Sequence, residues 1–352
     1  MNDRSLIEPN TENDRVAALF AAQQHAFEHH PYPSAVKRRA DLKALKTQLL
    51  RYQDVLAEAI ASDFGQRSIT ESKMLDVLPT TLAINHAIAH VGRWMKPSQR
   101  STELLFLGNS VRVRYQPKGV VGVIGTWNFP VYLSMGPLVA ALAAGNRVMV
   151  RMPEITPATS ATLRQMLGEV FAEDHVALIG EELLDPSVFT ALPFNHLVFT
   201  GSPAVGRIVM RTAAENLTPV TLELGGKSPA VVMRGYPLRD AAMRIAHGKG
   251  VNCGQVCLAP DYALVPRESV DEFVEGVRQS FAQLYGTTEN NADYTAIINE
   301  RHAARIRALL IRVGLPVEPP RLGRERMLAL MGMDKKIAGG RLRLVLLTGI
   351  GS

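Results

Sequence analysis

The 352-residue sequence predicts an α/β protein: a doubly wound, mostly parallel sheet followed by a second α/β unit. Two observations predict it. From Val111 onward, short β-rich runs alternate with helical ones, and parallel strands need such helical crossovers. The length, at about 100–200 residues per domain, leaves room for two cores. A composition of 47% hydrophobic and 20% charged residues is that of an ordinary globular chain.

The first hundred or so residues read as helical. Leu42, Leu45, Leu49, Leu56 and Ile60 recur at helical spacing with Lys and Arg opposite, and Ser34 is placed to cap that helix. A second helical run, 71–95, carries Leu75, Leu78, Leu82 and Ile88 as its apolar stripe. Strands follow at 111–115, 120–124, 147–151, 176–180, 196–200 and 220–224, with helices at 131–144, 156–171 and 203–215 among them. Ligands of such sheets bind beyond the carboxyl ends of the strands. A second α/β unit begins near Lys227, with strands at 230–233 and 262–265 and helices at 238–250 and 268–284.

Several function classes are disfavoured. Residues 119–146 hold no charge, but Gly122, Gly125, Asn128, Pro130, Gly136 and Pro137 interrupt them, whereas a spanning helix needs about 20 continuous apolar residues. The N-terminus lacks the apolar core of a signal peptide, and two cysteines cannot build a disulfide framework, so a cytoplasmic protein is expected. His86 and His90 lie one helical turn apart without a Glu or Cys partner nearby, so no metal is expected. The net charge of +6 comes largely from arginines beyond Arg301, a stretch without Phe, Tyr or Trp to stack bases, so no nucleic-acid partner is expected.

Four motifs can carry chemistry, each with a plainer alternative. Gly201-Ser-Pro-Ala-Val-Gly206 follows a strand and opens a helix, so its N–H groups and dipole suit a pyrophosphate; an ordinary strand–helix turn fits equally. In Thr126-Trp-Asn-Phe-Pro130, the Asn128 amide can donate to a developing oxyanion, or merely cap a helix. Leu222-Glu-Leu-Gly-Gly226 puts Glu223 in an apolar strand, where burial would raise its pKa towards that of a general base; a buried ion pair is the alternative. Asn252-Cys-Gly-Gln-Val-Cys257 offers a thiolate nucleophile near a turn, or a buried small hydrophobe.

Taken in this order, Asn128, Gly201–Gly206, Glu223 and Cys257 resemble the aldehyde dehydrogenase superfamily, as does the 34-residue interval from Glu223 to Cys257. Asp63-Phe-Gly-Gln-Arg-Ser68, Trp94-Met-Lys-Pro97, Leu192-Pro-Phe194 and Leu217-Thr-Pro-Val-Thr-Leu-Glu-Leu-Gly-Gly-Lys-Ser-Pro229 look most like the bacterial coniferyl aldehyde dehydrogenases. The resemblance covers roughly residues 15–300 and implies an NAD-dependent (or NADP-dependent) oxidation of an aldehyde, coniferyl aldehyde or a similar aromatic one, to its acid. It implies that Cys257 attacks the carbonyl, giving a thiohemiacetal and then a thioester, that Asn128 holds the oxyanion, and that Glu223 activates the hydrolytic water. Gly201, Ser202, Pro203, Ala204, Val205 and Gly206 would face the pyrophosphate, Arg151 and Glu154 the adenosine ribose, and Trp127 would lie along the cofactor. The implied division is 1–226 for N-terminal helices and dinucleotide-binding domain, 227–304 for an incomplete thiol-bearing catalytic domain, and 305–352 for an atypical Arg-rich tail.

Arg151 stands where the family usually has Lys, keeping the charge but not the point geometry. We read Cys253 as a resolving thiol that would trap an oxidised Cys257 as a disulfide; after mild peroxide, a sulfinate without that disulfide would count against it. After about Ala304 the family's text stops. Its Glu-Ile-Phe-Gly-Pro motif and late strand of subunit pairing do not appear, so the family's homodimer habit is left without its strand. A frame shift with early termination is the simplest account. An inactive fragment that retains dinucleotide binding is the alternative expectation.

Overall fold

The computed structural model describes residues 12–183, 185–286, 288, 291–312 and 314. Most of the Arg-rich stretch expected at 305–352 therefore lies outside the described residues, as does the extreme N-terminus. The described residues fall into two compact units: those within Met1–Asp63, Arg67–Lys227 and Val256–Leu258 form one, and those within Phe64–Gln66, Ser228–Gln255 and Ala259–Ser352 the other.

The first unit opens with α1 (Glu12–His29), α2 (Ala35–Arg51) and α3 (Gln53–Phe64). Ser34 Oγ accepts from Lys37 N–H at 3.2 Å and caps α2 as expected. Leu42, Leu45, Leu49, Leu56 and Ile60 are all at most 1% exposed, although their stripe crosses a break at Tyr52. Each such side chain contributes about 1.5–3 kcal/mol on burial.

Next come α4 (Ile69–Ser72), a π-helical turn (Lys73–Val77) and α5 (Leu78–Trp94), one helical run carrying an extra residue in its middle. This turn corrects the stripe read from the sequence. Leu78 and Leu82 are 40% and 57% exposed, whereas Asp76, Val77, Thr80, Ile84, Ala87 and Val91 face inward. A π turn rotates the residues beyond it relative to an unbroken helix, so a stripe extrapolated across it lands on the wrong face.

A short antiparallel pair, β1 (Ser98–Arg100) and β2 (Val111–Val113), lies outside the main sheet. The sequence placed 111–115 with the parallel strands and did not anticipate β1, whose Ser-Gln-Arg text carries no β signal.

The main sheet contains β3 (Val120–Ile124), β4 (Arg147–Arg151), β5 (Val176–Ile179), β6 (His196–Gly201) and β7 (Val220–Leu224), all parallel, in the order β5-β4-β3-β6-β7. The crossovers are α6 (Tyr132–Ala144), α7 (Pro157–Gly168), α8 (Pro186–Thr190) and α9 (Pro203–Ala214). Every residue of β3 and β5 is buried, as expected of parallel strands covered on both faces. The core runs from Val16 and Phe20 of α1 through Met149, Ile179, Phe189, Phe194 and Leu197 to Val209 and Ala213 of α9. The strand order reverses at the β3–β6 boundary, because β4 and β5 were added on one side and β7 on the other. The loops leaving β3 and β6 therefore diverge, which opens a crevice at their carboxyl ends.

The second unit joins β8 (Ser228–Val231) to the parallel β9 (Pro260–Leu264) through α10 (Leu238–Gly250), and adds α11 (Val270–Tyr285) and α12 (Glu300–Arg312). Val232, Ala241, Ala242 and Phe273 form its core. Among the described residues, no helix is long and apolar enough to cross a membrane.

Candidate functional site

The sequence-derived residues of the first unit gather at the carboxyl edge of its sheet. Asn128 and Trp127 lie in the loop leaving β3, both half-buried. Arg151 ends β4, with Glu154 three residues on; Gly201 ends β6; Glu223 is one residue from the end of β7. The register aligns Arg151 with Ile124, Ile124 with Phe199 and Thr200 with Glu223, so these loops leave the sheet side by side. The Cys257 turn joins them, for Gly226 N–H donates to the Cys257 carbonyl at 3.1 Å. That bond holds the thiol-bearing residue against the two-glycine turn that follows Glu223.

Two glycines let the chain pass here. A Cβ at Gly125 would stand 2.1 Å from Ser134 Oγ, and Gly125 N–H donates to the Arg151 carbonyl at 2.9 Å. A Cβ at Gly201 would meet the Phe199 ring at 2.6 Å. Beyond Gly201, Ser202 Oγ accepts from Val205 N–H at 3.3 Å and caps α9. Ser202, Pro203, Ala204 and Val205 are exposed, so the positive end of a twelve-residue helix opens at the switch point, while Gly206 is buried against Leu224.

Arg151 is 8% exposed, its Nη2 lies 3.3 Å from a carboxylate oxygen of the exposed Glu154, and its Nε is buried without a partner. A strand–helix turn with an open first helical turn, on the same sheet edge and two strands from a buried cation carrying an unsatisfied donor, fits a dinucleotide phosphate and sugar.

One expectation needs correcting. The sequence puts Glu223 in a buried strand; in the structure it is exposed, and among the described residues β7 stands at the end of the sheet with β6 as its neighbour. Cys257 is likewise exposed, in a turn, and both cysteines are free thiols. Cys253 lies in the second unit, where its S–H donates to the Tyr294 hydroxyl at 3.5 Å. Asn252, Cys253 and Gly254 all adopt positive φ, at 49°, 52° and 73°. Gln255 braces this left-handed run: its side chain donates to the Asn252 and Ala296 carbonyls and accepts from Ile298 N–H. His86 stacks on His90 at 4.1 Å, and among the described residues no cluster of three or more His, Cys, Asp or Glu could hold a metal ion.

Sequence reasoning missed the support beneath the Asn128 loop. Arg67 and Asp76, both at most 3% exposed, form an ion pair at 3.1 Å directly under it. A signal was available: Asp76 heads the spacing Thr80, Ile84, Ala87, Val91, which places a carboxylate on a buried stripe. Burial pushes the Asp76 carboxyl up to about 6, against the opposing pull of Arg67 and two backbone N–H groups.

Comparison with known proteins agrees with this architecture. The model of the aldehyde dehydrogenase family matches residues 7–313. A probable coniferyl aldehyde dehydrogenase of Pseudomonas aeruginosa is 50% identical over 299 residues, covering 85% of this chain and 63% of that protein. The coniferyl aldehyde dehydrogenase of a Pseudomonas species is 43% identical, covering 74% of this chain and 54% of its own length. Among solved structures, substrate-bound Staphylococcus aureus AldH superposes with a TM-score of 0.80 at 30% identity, over 84% of this chain and 65% of that one. A Mycobacterium tuberculosis aldehyde dehydrogenase complexed with NAD+ gives 0.76 at 29% identity, over 86% and 64%. The chain thus spans about three-fifths of the length of these relatives. By its match over 7–313 and by its fold, this chain belongs to the aldehyde dehydrogenase family.

Proposed function

We propose that this chain carries the site of an NAD(P)-dependent aldehyde dehydrogenase that converts an aromatic aldehyde such as coniferyl aldehyde to its carboxylic acid. The observation that carries the reading is the Gly226–Cys257 hydrogen bond, which ties the thiol-bearing turn to the strand end bearing Glu223, at the sheet edge where Asn128 and the α9 N-terminus also lie. The aromatic substrate rests on the names of the Pseudomonas relatives, and NAD on that of the mycobacterial structure.

In this reading the Cys257 thiolate adds to the carbonyl carbon, forming a C–S bond while the π pair moves to oxygen. The Asn128 amide donates to that oxyanion, a charge absent from the free aldehyde, so its effect falls on the transition state. NAD, when bound, supplies an acceptor for the hydride that leaves the thiohemiacetal carbon. The first turn of α9 from Gly201 to Gly206, with Arg151, Glu154 and Trp127, would hold it. Glu223 then takes a proton from water as the oxygen attacks the thioester; the C–S bond breaks and the thiolate is restored. A Glu223→Gln variant treated with coniferyl aldehyde and NAD should accumulate an acyl adduct on Cys257, read by peptide mass. An unmodified Cys257 in a variant that still forms NADH would contradict the assignment.

The exposure of Cys257 and Glu223 favours a second reading, a unit that binds dinucleotide without turnover, since such chemistry gains most in a water-excluded site. Retained binding of NAD in calorimetry with no acyl adduct would select it.

A further inference from the structure

The loop that carries Asn128 is fastened from below by two buried charges. Arg67 Nη1 donates to the backbone carbonyl of Asn128 itself at 2.9 Å, and Arg67 Nη2 to Asp76 Oδ2 at 3.1 Å. The guanidinium also lies 5.0 Å from the centre of the Phe129 ring. Asp76 Oδ1 accepts from Val131 N–H at 3.1 Å and Tyr132 N–H at 2.9 Å. Two side chains thus fix the carbonyl at 128, the ring at 129 and the amides at 131 and 132. The N-cap residue of α6, Val131, has no side-chain cap of its own; Asp76 caps the helix from another element.

This arrangement is costly in two ways. Removing a carboxylate and a guanidinium from water costs several kcal/mol per ion before their attraction is counted, and an apolar pair of similar volume is often no less stable. The π-helical turn at Lys73–Val77, which carries Asp76, is a rare departure from α geometry that recurs at functional sites. A cap for α6 alone would need neither Arg67 nor its bond to the Asn128 carbonyl.

We infer that Arg67 and Asp76 are positioning residues that set the backbone of Asn128, and through it the direction in which its side-chain amide meets the oxyanion formed at Cys257. The inference rests on the reading of Asn128 as the oxyanion donor. Geometry of this kind matters because a donor misplaced by about 1 Å loses on the order of a hundredfold in rate.

The test compares two reactions of the same thiol in the full chain without dinucleotide. Acylation of Cys257 by p-nitrophenyl acetate develops an oxyanion; alkylation by iodoacetamide does not. Asp76→Asn and Arg67→Lys should slow acylation about tenfold to a hundredfold and leave alkylation within about twofold, with Asn128→Ala as the ceiling, on the order of a hundredfold or more. Acylation at the wild-type rate in both charge variants, with Asn128→Ala slow, would overturn the inference and leave the Asn128 reading intact. Equal losses in both reactions would overturn it too, as the mark of a merely structural pair. Normal acylation in Asn128→Ala would remove the underlying reading itself. Should Asp76→Asn lose its cooperative melt, Asp76→Glu, which keeps the charge and lengthens the arm, supplies the same comparison.

Discussion

The Asn128 loop and the Cys257 turn, which the proposed chemistry brings to one carbonyl group, are built on opposite plans. The first sits over a buried ion pair, with its carbonyl, amides and aromatic ring each given a partner. The second is an exposed turn whose carbonyl is tethered to Gly226. Electrostatic stabilisation demands that its donor stand where charge will develop, because reorienting a dipole during the reaction gives back much of the gain. A thiolate gains less from rigidity, since it must approach the carbonyl carbon and later withdraw. The difference teaches that, among the described residues, the donor's loop is fastened by a buried ion pair, whereas the nucleophile's turn is tied to Gly226 through its backbone.

Breaking the comparison at its reactive end gives the largest effect. Cys257→Ala should remove aldehyde oxidation by about a thousandfold or more, measured as NADH formation, while the melting temperature stays near that of the parent, because the side chain is exposed. Asn128→Ala should lower kcat by about 10²–10³ with little change in KM, since the oxyanion exists only after attack.

The pH dependence sharpens the contrast further. The charges acting on Asp76 come from Arg67 and Glu71, and Tyr132 of α6 faces it through its backbone N–H. Burial raises its carboxyl from 3.8 to about 6, so between those values the folded chain holds a proton that the unfolded chain has released. Stability contributed by this group is therefore fully present below about 4 and declines as pH rises through about 6. The clamp, however, needs the ionised form to accept from Arg67. Measured against iodoacetamide alkylation, which depends on the same thiolate, acylation of Cys257 should fall by up to about tenfold per pH unit below 6, opposite in sign to the stability trend, and Asp76→Asn should lose that difference. A parallel decline of rate and melting temperature on acidification would break the link to Asp76. The smallest effect belongs far from the edge: Ser34→Ala should cost about 0.5–1 kcal/mol in a denaturant melt, with kcat unchanged.

Much of this was legible in the text of the chain. β3 is an uncharged run between Gly119 and Gly125, and β4 a Val-Met-Val run between two arginines, bounded by Asn146 and Pro153; their predicted limits match. Helix α10 matches at both ends, and α6 and α9 to within a residue. Asn128, Gly201 and Glu223 were legible because they fall by a glycine turn at a strand end, where a parallel sheet presents its ligands. Three things were not legible. The π turn shifts a helical register that periodicity assumes constant, so the pattern points Leu78 and Leu82 inward although both are exposed. The exposure of Glu223 depends on which strands flank β7, a long-range fact absent from its own five residues. The Arg67–Asp76 pair joins a loop residue to a helical turn nine residues on and meets a second loop some fifty residues further, so the partnership, unlike the buried place of Asp76, has no local signal.

The most direct test of the central claim is NADH formation by the full chain with coniferyl aldehyde and NAD, run beside Cys257→Ala. Turnover by the parent that vanishes in the variant is the predicted result. Turnover that survives the loss of Cys257, or a parent that binds NAD and forms no NADH, would contradict it.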